Sequence, residues 1–268
     1  MPNLRRLLAG LLLIAGGPCL AHDCPRDYRV GVSPIGYSYY LDAQGQPTGS
    51  SFDFYAELSR RSGCRFNLTA VPRARSWYLL ENQEVDLITP TIRTPERDHL
   101  GVFIEYFRGH SDLLIRRELA AQIHSLSDFL AQPTLQLGLV RGHSNGPALD
   151  EQIALLDGNR VQYAADPHNV FLRLQAGRIQ GTIMPAGLYQ KEVDDLALHD
   201  QLQLIRIAEA DAFATGAYLS RLSLGPEELA HLQQHIQSML DDGTLRELLT
   251  RRHGKPLTDR YYLDTPAP

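Results

Sequence analysis

"YRVGVSPIGYSYYLDAQGQPTGSSFDFYAELSRRSGCRFNLTAV", residues 28–71, decides how the rest of the chain is read. It opens on a short apolar run, Tyr28–Val32, and closes on an alternating one, Arg65–Val71. Between them lie a turn-rich segment and a helical one, Ser51–Ser62. Ser51 has the side chain of an N-cap, and Gly63 stands just past the end, where left-handed backbone is wanted. Strand, helix and strand in succession predict a right-handed parallel crossover. Ligands in such folds sit beyond the carboxyl ends of the strands. Tyr37, Tyr39 and Tyr40 follow the first strand at that position and are taken as ligand-facing rings. Tyrosine offers wide contact area and a hydroxyl at low entropic cost.

The alternation continues outward. A helix is expected over 75–82 and a strand over 84–89; 111–117 then reads as an extended crossing segment. Beyond it the pattern restarts, with a short helix near Ser127, a strand over 135–140 and a helix from about Pro147. A strand over 160–164 precedes a helix opened by Asp166 and Pro167, where Asp caps and Pro loses no needed donor. Strands over 181–185 and 202–207 follow, then a return strand over 212–219 and helices over 226–240 and 244–253. The fold class is therefore α/β. Two mainly parallel sheets flanked by helices are expected, the second unit inserted in the first, with two crossing strands between them.

The first residues stand apart. Arg5 and Arg6 precede an apolar run, Leu7–Gly17, and Ala21 is a small residue suited to cleavage. This predicts a secretory leader over 1–21, and so a periplasmic protein. The run falls short of the roughly 20 apolar residues of a membrane span. Pro18 directly before Cys19 fits a lipidation signal poorly. The formal charge is −5, which argues against a general nucleic-acid partner. Of three cysteines, Cys19 lies in the leader. Cys24 and Cys64 are left as an even pair in an oxidising compartment. If the first two strands are parallel neighbours, both lie at one sheet edge, and a disulfide is expected. His231 and His235 are spaced i, i+4, but no Glu follows His231 as in a zinc-protease motif. Nothing calls for a metal or cofactor.

Several stretches in order carry a resemblance: "YRVGV", "DAQGQPTGSSFDFYAEL", "LLENQEVDLITPTIRTPERDHLGVFIEYF", "LGLVRGHS", "LQAGRIQGTIMP" and "DDGTLRELLTRRHG". Together they resemble the bacterial periplasmic solute-binding proteins of family 3, the amino-acid-binding type. The resemblance implies a two-lobed type II periplasmic-binding-protein fold that closes over a ligand like a hinged clamp. Residues 22–110 and 216–268 would form one lobe, and 111–215 the other with the hinge strands. It further implies a monomer that captures a small polar, anionic or zwitterionic molecule and hands it to a membrane permease, of the ABC type, or to a sensor.

Carried over residue by residue, the arginine that clamps a ligand carboxylate falls on Arg97 in "TPER". A guanidinium fork matches the two carboxylate oxygens. The hydroxyl and amide stretch of the second lobe falls on Gly142, His143 and Ser144, and Thr91 stands among the small positions before the clamp. The acid that would meet an α-ammonium is replaced by His168. The carboxylate end of the site is kept and the ammonium end is lost, so an ordinary α-amino acid is not expected. Arg73, Arg75 and Trp77 form a basic and aromatic group after the second strand, of which Arg75 and Trp77 are taken as site candidates, with Arg141. A dehydratase-like enzyme of the same fold would need an acid within 182–190, and none stands there. No catalytic residue is expected.

Overall fold

The computed structural model describes residues 24–207 and 212–262, with side chains described through residue 260. The expected leader lies outside the described residues. The first unit begins with β1 (Tyr28–Val32), a small hairpin β2 (Tyr40–Leu41) and β3 (Pro47–Thr48), helix α1 (Ser50–Ser62) and β4 (Phe66–Ala70). Helix α2 (Arg73–Glu81), β5 (Leu87–Ile92) and the long β6 (Gly101–Gly109) complete its first pass. The second unit runs through β7 (Ser111–Arg116), α3 (Leu126–Ala131), β8 (Leu137–Val140), α4 (Pro147–Ala154), β9 (Val161–Ala164), α5 (Pro167–Gln175), β10 (Gly181–Pro185), α6 (Ala186–Asp195) and β11 (Leu202–Arg206). The chain then returns through β12 (Phe213–Ser220) and ends in α7 (Pro226–Asp241), α8 (Thr244–His253) and α9 (Lys255–Tyr262).

The strands form two five-stranded sheets, ordered β4-β1-β5-β12-β6 and β11-β7-β10-β8-β9. β1 is parallel to β4 and β5, as the opening stretch predicts, while β12 runs antiparallel to β5 and β6. β7 is antiparallel to β10 and β11, so each sheet is mixed. The segment read as crossing, Ser111–Arg116, pairs wholly within the second sheet. The first crossover is confined to His110, between β6 and β7. The whole of β12 pairs with β6 in the first sheet, including the part before residue 216.

Local chemistry explains the elements. Helix α1 carries Asp53 in its first turn and Arg60 and Arg61 in its last, which suits the helix dipole. Gly63 closes it at φ 73°, donating to the Ser59 carbonyl. The N-cap position is held by Gly49 rather than Ser51, which is buried one turn in. Its hydroxyl faces the Thr89 carbonyl at 3.5 Å, so Ser51 serves the interior instead of the cap. The strand expected at 84–89 begins at Leu87. Asp86, fully buried, stands just before it, with its amide donating to the Arg29 carbonyl at 2.7 Å, its carbonyl accepting from the Ser220 amide at 2.9 Å, and its carboxylate clasped by other side chains. It accepts hydrogen bonds from Arg26 Nη1 at 2.9 Å, Arg29 Nη2 at 2.8 Å, the Arg29 amide at 2.8 Å and Ser223 Oγ at 2.7 Å. Despite burial, these donors hold its carboxyl near 2, below the usual carboxylate range. Asp166 caps α5 as expected, accepting from the Asn169 amide at 2.8 Å.

The first sheet buries two clusters, one on Tyr28, Tyr55, Leu58, Leu87, Ile236 and Met239 and a smaller one on Leu79, Leu80, Ile88 and Tyr218. The second sheet buries two clusters, one on each face, around Phe171 and Phe129. Cys24 and Cys64 are joined by a disulfide at the edge of β1 and β4, with Cα atoms 5.3 Å apart. His231 lies beside them, but disulfide sulfurs are not thiolate ligands, and this trio is no metal centre. Helix α9 ties the two units together. Arg260 donates through both Nη atoms to Asp112 at the start of β7, at 2.8 and 3.1 Å, and Tyr189 of α6 donates to the same carboxylate at 2.9 Å.

Candidate functional site

A cleft between the two sheets encloses about 840 Å³ of space between atoms, part of it open to solvent. Both units line it. Thr89, Thr91 and Arg97 come from the end of β5 and the turn beyond, and Arg73 from the start of α2. His143 and Ser144 come from the loop after β8, and Gly187 and Leu188 from α6. These are carboxyl ends of parallel strands or the turns after them, where the opening stretch places a ligand. Phe54, Tyr106, Phe107, Phe213, Leu245 and Leu249 make much of the wall apolar. Among the described residues, no Asp or Glu lines the cleft.

Arg97 is the best-held of the polar groups. Its guanidinium lies 4.2 Å from the centre of the Trp77 ring, a favourable cation–π distance. Arg97 Nη2 donates to the Gly142 carbonyl at 3.2 Å, and Trp77 Nε1 donates to the same oxygen at 3.2 Å. Arg97 thus belongs to the first unit and touches the second. Burial lowers its pKa from the usual arginine value, in part against the pull of Tyr218 and Asp150. Arg73 is only 4% exposed, and its Nε and Nη1 have no hydrogen-bond partner. Burial and the neighbouring Arg97 push its pKa down to about 10. His143 presents a shielded Nε2, also without a partner. Burial, Arg73 and Arg97 push this ring down to about 3, so it is neutral at ordinary pH. Ser144 Oγ donates to Asp150 and accepts from the Gly146 amide at 3.1 Å, so its hydroxyl is engaged in setting the loop before α4.

Five of the residues singled out from sequence therefore meet at the cleft: Thr91, Arg97, Gly142, His143 and Ser144. The others do not line it. Trp77 stands behind Arg97 as its platform. Arg75 is exposed and lies over the Tyr78 ring at 4.3 Å, because α2 turns successive residues to different faces. Arg141 is exposed at the end of β8. His168 lies in the first turn of α5, faces α6, and places Nδ1 2.9 Å from buried Glu192. Tyr39 is buried and bridges back to Ile35 in the core of its own loop. Tyr37 and Tyr40 sit at the contact of the two units. The Tyr37 hydroxyl donates to Asp194 at 2.9 Å, and Lys191 Nζ lies 5.1 Å from the Tyr40 ring centre. Asp194 and burial together raise the Tyr37 hydroxyl to about 12. The rings that open the sequence puzzle seal the mouth of the cleft on the α6 side rather than its wall.

Bare backbone completes the contact at two places. Gly36, at φ 50°, would set a Cβ 2.5 Å from the Gly187 carbonyl oxygen. Gly142, at φ 76°, would set one 2.7 Å from Ala74 Cα. Each lies in one unit and meets the other, so no side chain fits while the units touch.

Residues 28–255 match the model of the bacterial extracellular solute-binding proteins, family 3. The chain belongs to this family. Solved structures agree on the architecture of the family 3 protein. The arginine-, lysine-, histidine-binding protein ArtJ of Geobacillus stearothermophilus superposes with a TM-score of 0.73 at 17% identity, over 86% of this chain and 96% of that one. The ancestral amino-acid-binding protein AncCDT-1, a precursor of cyclohexadienyl dehydratase, gives 0.71 at 19% identity, over 85% and 95%. A histidine kinase sensor domain similar to periplasmic binding proteins gives 0.73 at 15% identity, over 85% and 96%. No curated protein sequence matches. At these identities the likeness shows the fold, which is the type II periplasmic-binding-protein fold. Arg73 is the main residue that sequence reading left out of the site. It stood beside Arg75 and Trp77 with nothing to show that the helix turns this arginine inward.

Proposed function

We propose that this family 3 protein captures a small carboxylate-bearing solute in the cleft and passes it to a membrane permease or sensor. The two sheets serve as lobes, and the leader directs the chain to the periplasm. The observation that carries the reading is Arg97, which lines the cleft from the first unit while its Nη2 reaches the Gly142 carbonyl of the second. A carboxylate bound there takes the planar fork of a guanidinium already braced on an indole. Because that fork sits at the junction, ligand contacts made only with the units together favour the closed arrangement. Binding rather than chemistry is proposed because, among the described residues, no carboxyl group lines the cleft to act as a general acid, and Glu192 is held by His168. Uptake through an ABC-type permease is the reading preferred over sensing.

A thermal-shift screen of the secreted part, from His22 onward, tests this. The panel holds amino acids, dicarboxylates, aromatic acids and small peptides. A ligand that binds only the folded state adds about 2.7 kcal/mol at about 100 times its Kd. The expected result is a hit among carboxylates that Arg97→Ala removes without unfolding the protein. Hits confined to uncharged or cationic solutes, or a hit that survives Arg97→Ala, sink the reading.

A further inference from the structure

The site holds a second arginine whose charge no described residue answers. Arg73 is buried, lines the cleft, and leaves Nε and Nη1 without partners. The charges nearest it are those of Arg97, which repels it, and none is a carboxylate. A buried guanidinium without hydrogen bonds is among the costliest groups a fold retains, and one kept beside another cation points to an anion from outside. Its neighbours agree. Thr91 brings a hydroxyl to the cleft, and His143 brings an unpartnered Nε2, while the Thr89 hydroxyl donates to the Gly216 carbonyl at 3.2 Å. Among the described residues the same walls offer no carboxylate to a cation, and Glu192, which does not line them, is held by His168. Serine and threonine hydroxyls and His253 also face the cleft, but much of the remaining lining is phenyl, phenol and aliphatic surface from Phe54, Tyr106, Phe107, Phe213, Leu188 and Leu249.

Resting on the proposed function, we infer that Arg73 is a ligand-binding residue, and that it and Arg97 seat the anionic head of an organic acid with an apolar body and no ammonium group. An α-amino acid brings a positive charge into a cleft that already holds two guanidinium groups and no carboxylate. The matching acid without that charge loses nothing, since its carboxylate takes the bidentate contacts and its body takes the apolar wall. The apolar body departs from the small polar solute that the sequence implies, and its cause is the ring lining contributed by α1, β6 and β12.

Pairs of ligands that differ only in the ammonium group decide the matter. Titration calorimetry would compare 3-phenylpropionate with L-phenylalanine, and 4-methylpentanoate with L-leucine, on the wild-type protein and on Arg73→Gln. Thermal melting of both proteins without ligand checks folding. The expected result is that at least one acid binds about tenfold or more tightly than its amino-acid partner, and that Arg73→Gln weakens this acid by about tenfold or more. Amino acids binding as well as or better than the acids overturn the inference and leave the carboxylate reading standing. Acid binding untouched by Arg73→Gln in a folded variant overturns the role of Arg73. No binding by any of the four overturns the inference; if the wider carboxylate panel is silent as well, the proposed function falls with it. The wild-type comparison needs no variant, so it decides the ligand class even if Arg73→Gln fails to fold.

Discussion

At the amino ends of the strands in the first sheet, Arg26 and Arg29 close on Asp86; at the carboxyl ends, Arg73 and Arg97 close on no carboxylate. The same residue type serves opposite purposes a few residues apart along the ladder. Asp86 is buried with both oxygens engaged by arginines, a backbone amide and Ser223, and it welds β1 and β5 to the turn before α7. Arg73 is buried with two of its nitrogens idle. The first arrangement is finished by the chain itself; the second, on the proposed function, is finished by a ligand. A cluster with its counter-charge built in stabilises the fold. A cluster without one lowers stability and reserves the interaction for binding.

The comparison breaks first at Asp86. Asp86→Ala leaves two partly exposed arginines without their carboxylate and removes the acceptor of a backbone amide and of Ser223, and is expected to cost about 2–3 kcal/mol, read from urea denaturation. A loss below about 1 kcal/mol would mean that the cluster is surface ornament. Acid titration sharpens the contrast next. Asp86 is held near 2 in the folded protein against an ordinary 3.8, so its contribution is complete above about pH 4 and lost as pH falls toward 2. Discounted for its partly exposed arginines, that loss is about 1–2 kcal/mol. His143 is held near 3 against an ordinary 6.5. The unfolded chain therefore takes up a proton before the folded one does, and stability falls from about pH 6.5 downward. Melting curves across pH 2–8 should show two windows; His253, which burial holds near 4, shares the upper one, so His143→Gln should shrink that window and leave the lower one unchanged.

A smaller effect, of opposite sign, is expected on the cleft side. Arg73→Gln removes an unanswered buried charge, so the ligand-free protein should be as stable as wild type or more stable by about 1 kcal/mol in denaturant. A loss as large as that of Asp86→Ala would show that the two clusters are alike after all. The smallest effect is expected at the seal. Tyr37→Phe removes one partly exposed hydrogen bond to Asp194 and should shift the melting of the ligand-free protein by no more than about 0.5 kcal/mol.

The sequence made the frame legible because periodicity and punctuation carry it. The β1-α1-β4 unit, the Asp166 and Pro167 start of α5, α8 and the Cys24–Cys64 pairing all follow from apolar spacing, caps and adjacency. The role of Asp86 before β5 was not legible, since its carboxylate is held by arginines 57 and 60 positions away in the chain. The site was legible in part for the same reason. Thr91, Arg97, His143 and Ser144 sit where strand ends lead, so topology places them. Arg73 against Arg75 is a matter of which way one helical turn faces, and α2 has no clear apolar stripe to announce it. Phe213 and Leu249 enter the cleft from a return strand and a late helix, and no local pattern links them to it.

The glycines at 36 and 142 give the molecule a property that its binding chemistry does not. Each occupies one side of a joint where backbone meets backbone, so a single added methyl acts as a doorstop. Alanine at either position leaves every cleft side chain in place and holds the jaws ajar. On the proposed function, such a wedged protein keeps the first unit's hold on a solute and loses the shut outline that a membrane partner would read. Capture and delivery would then come apart at the cost of one carbon atom.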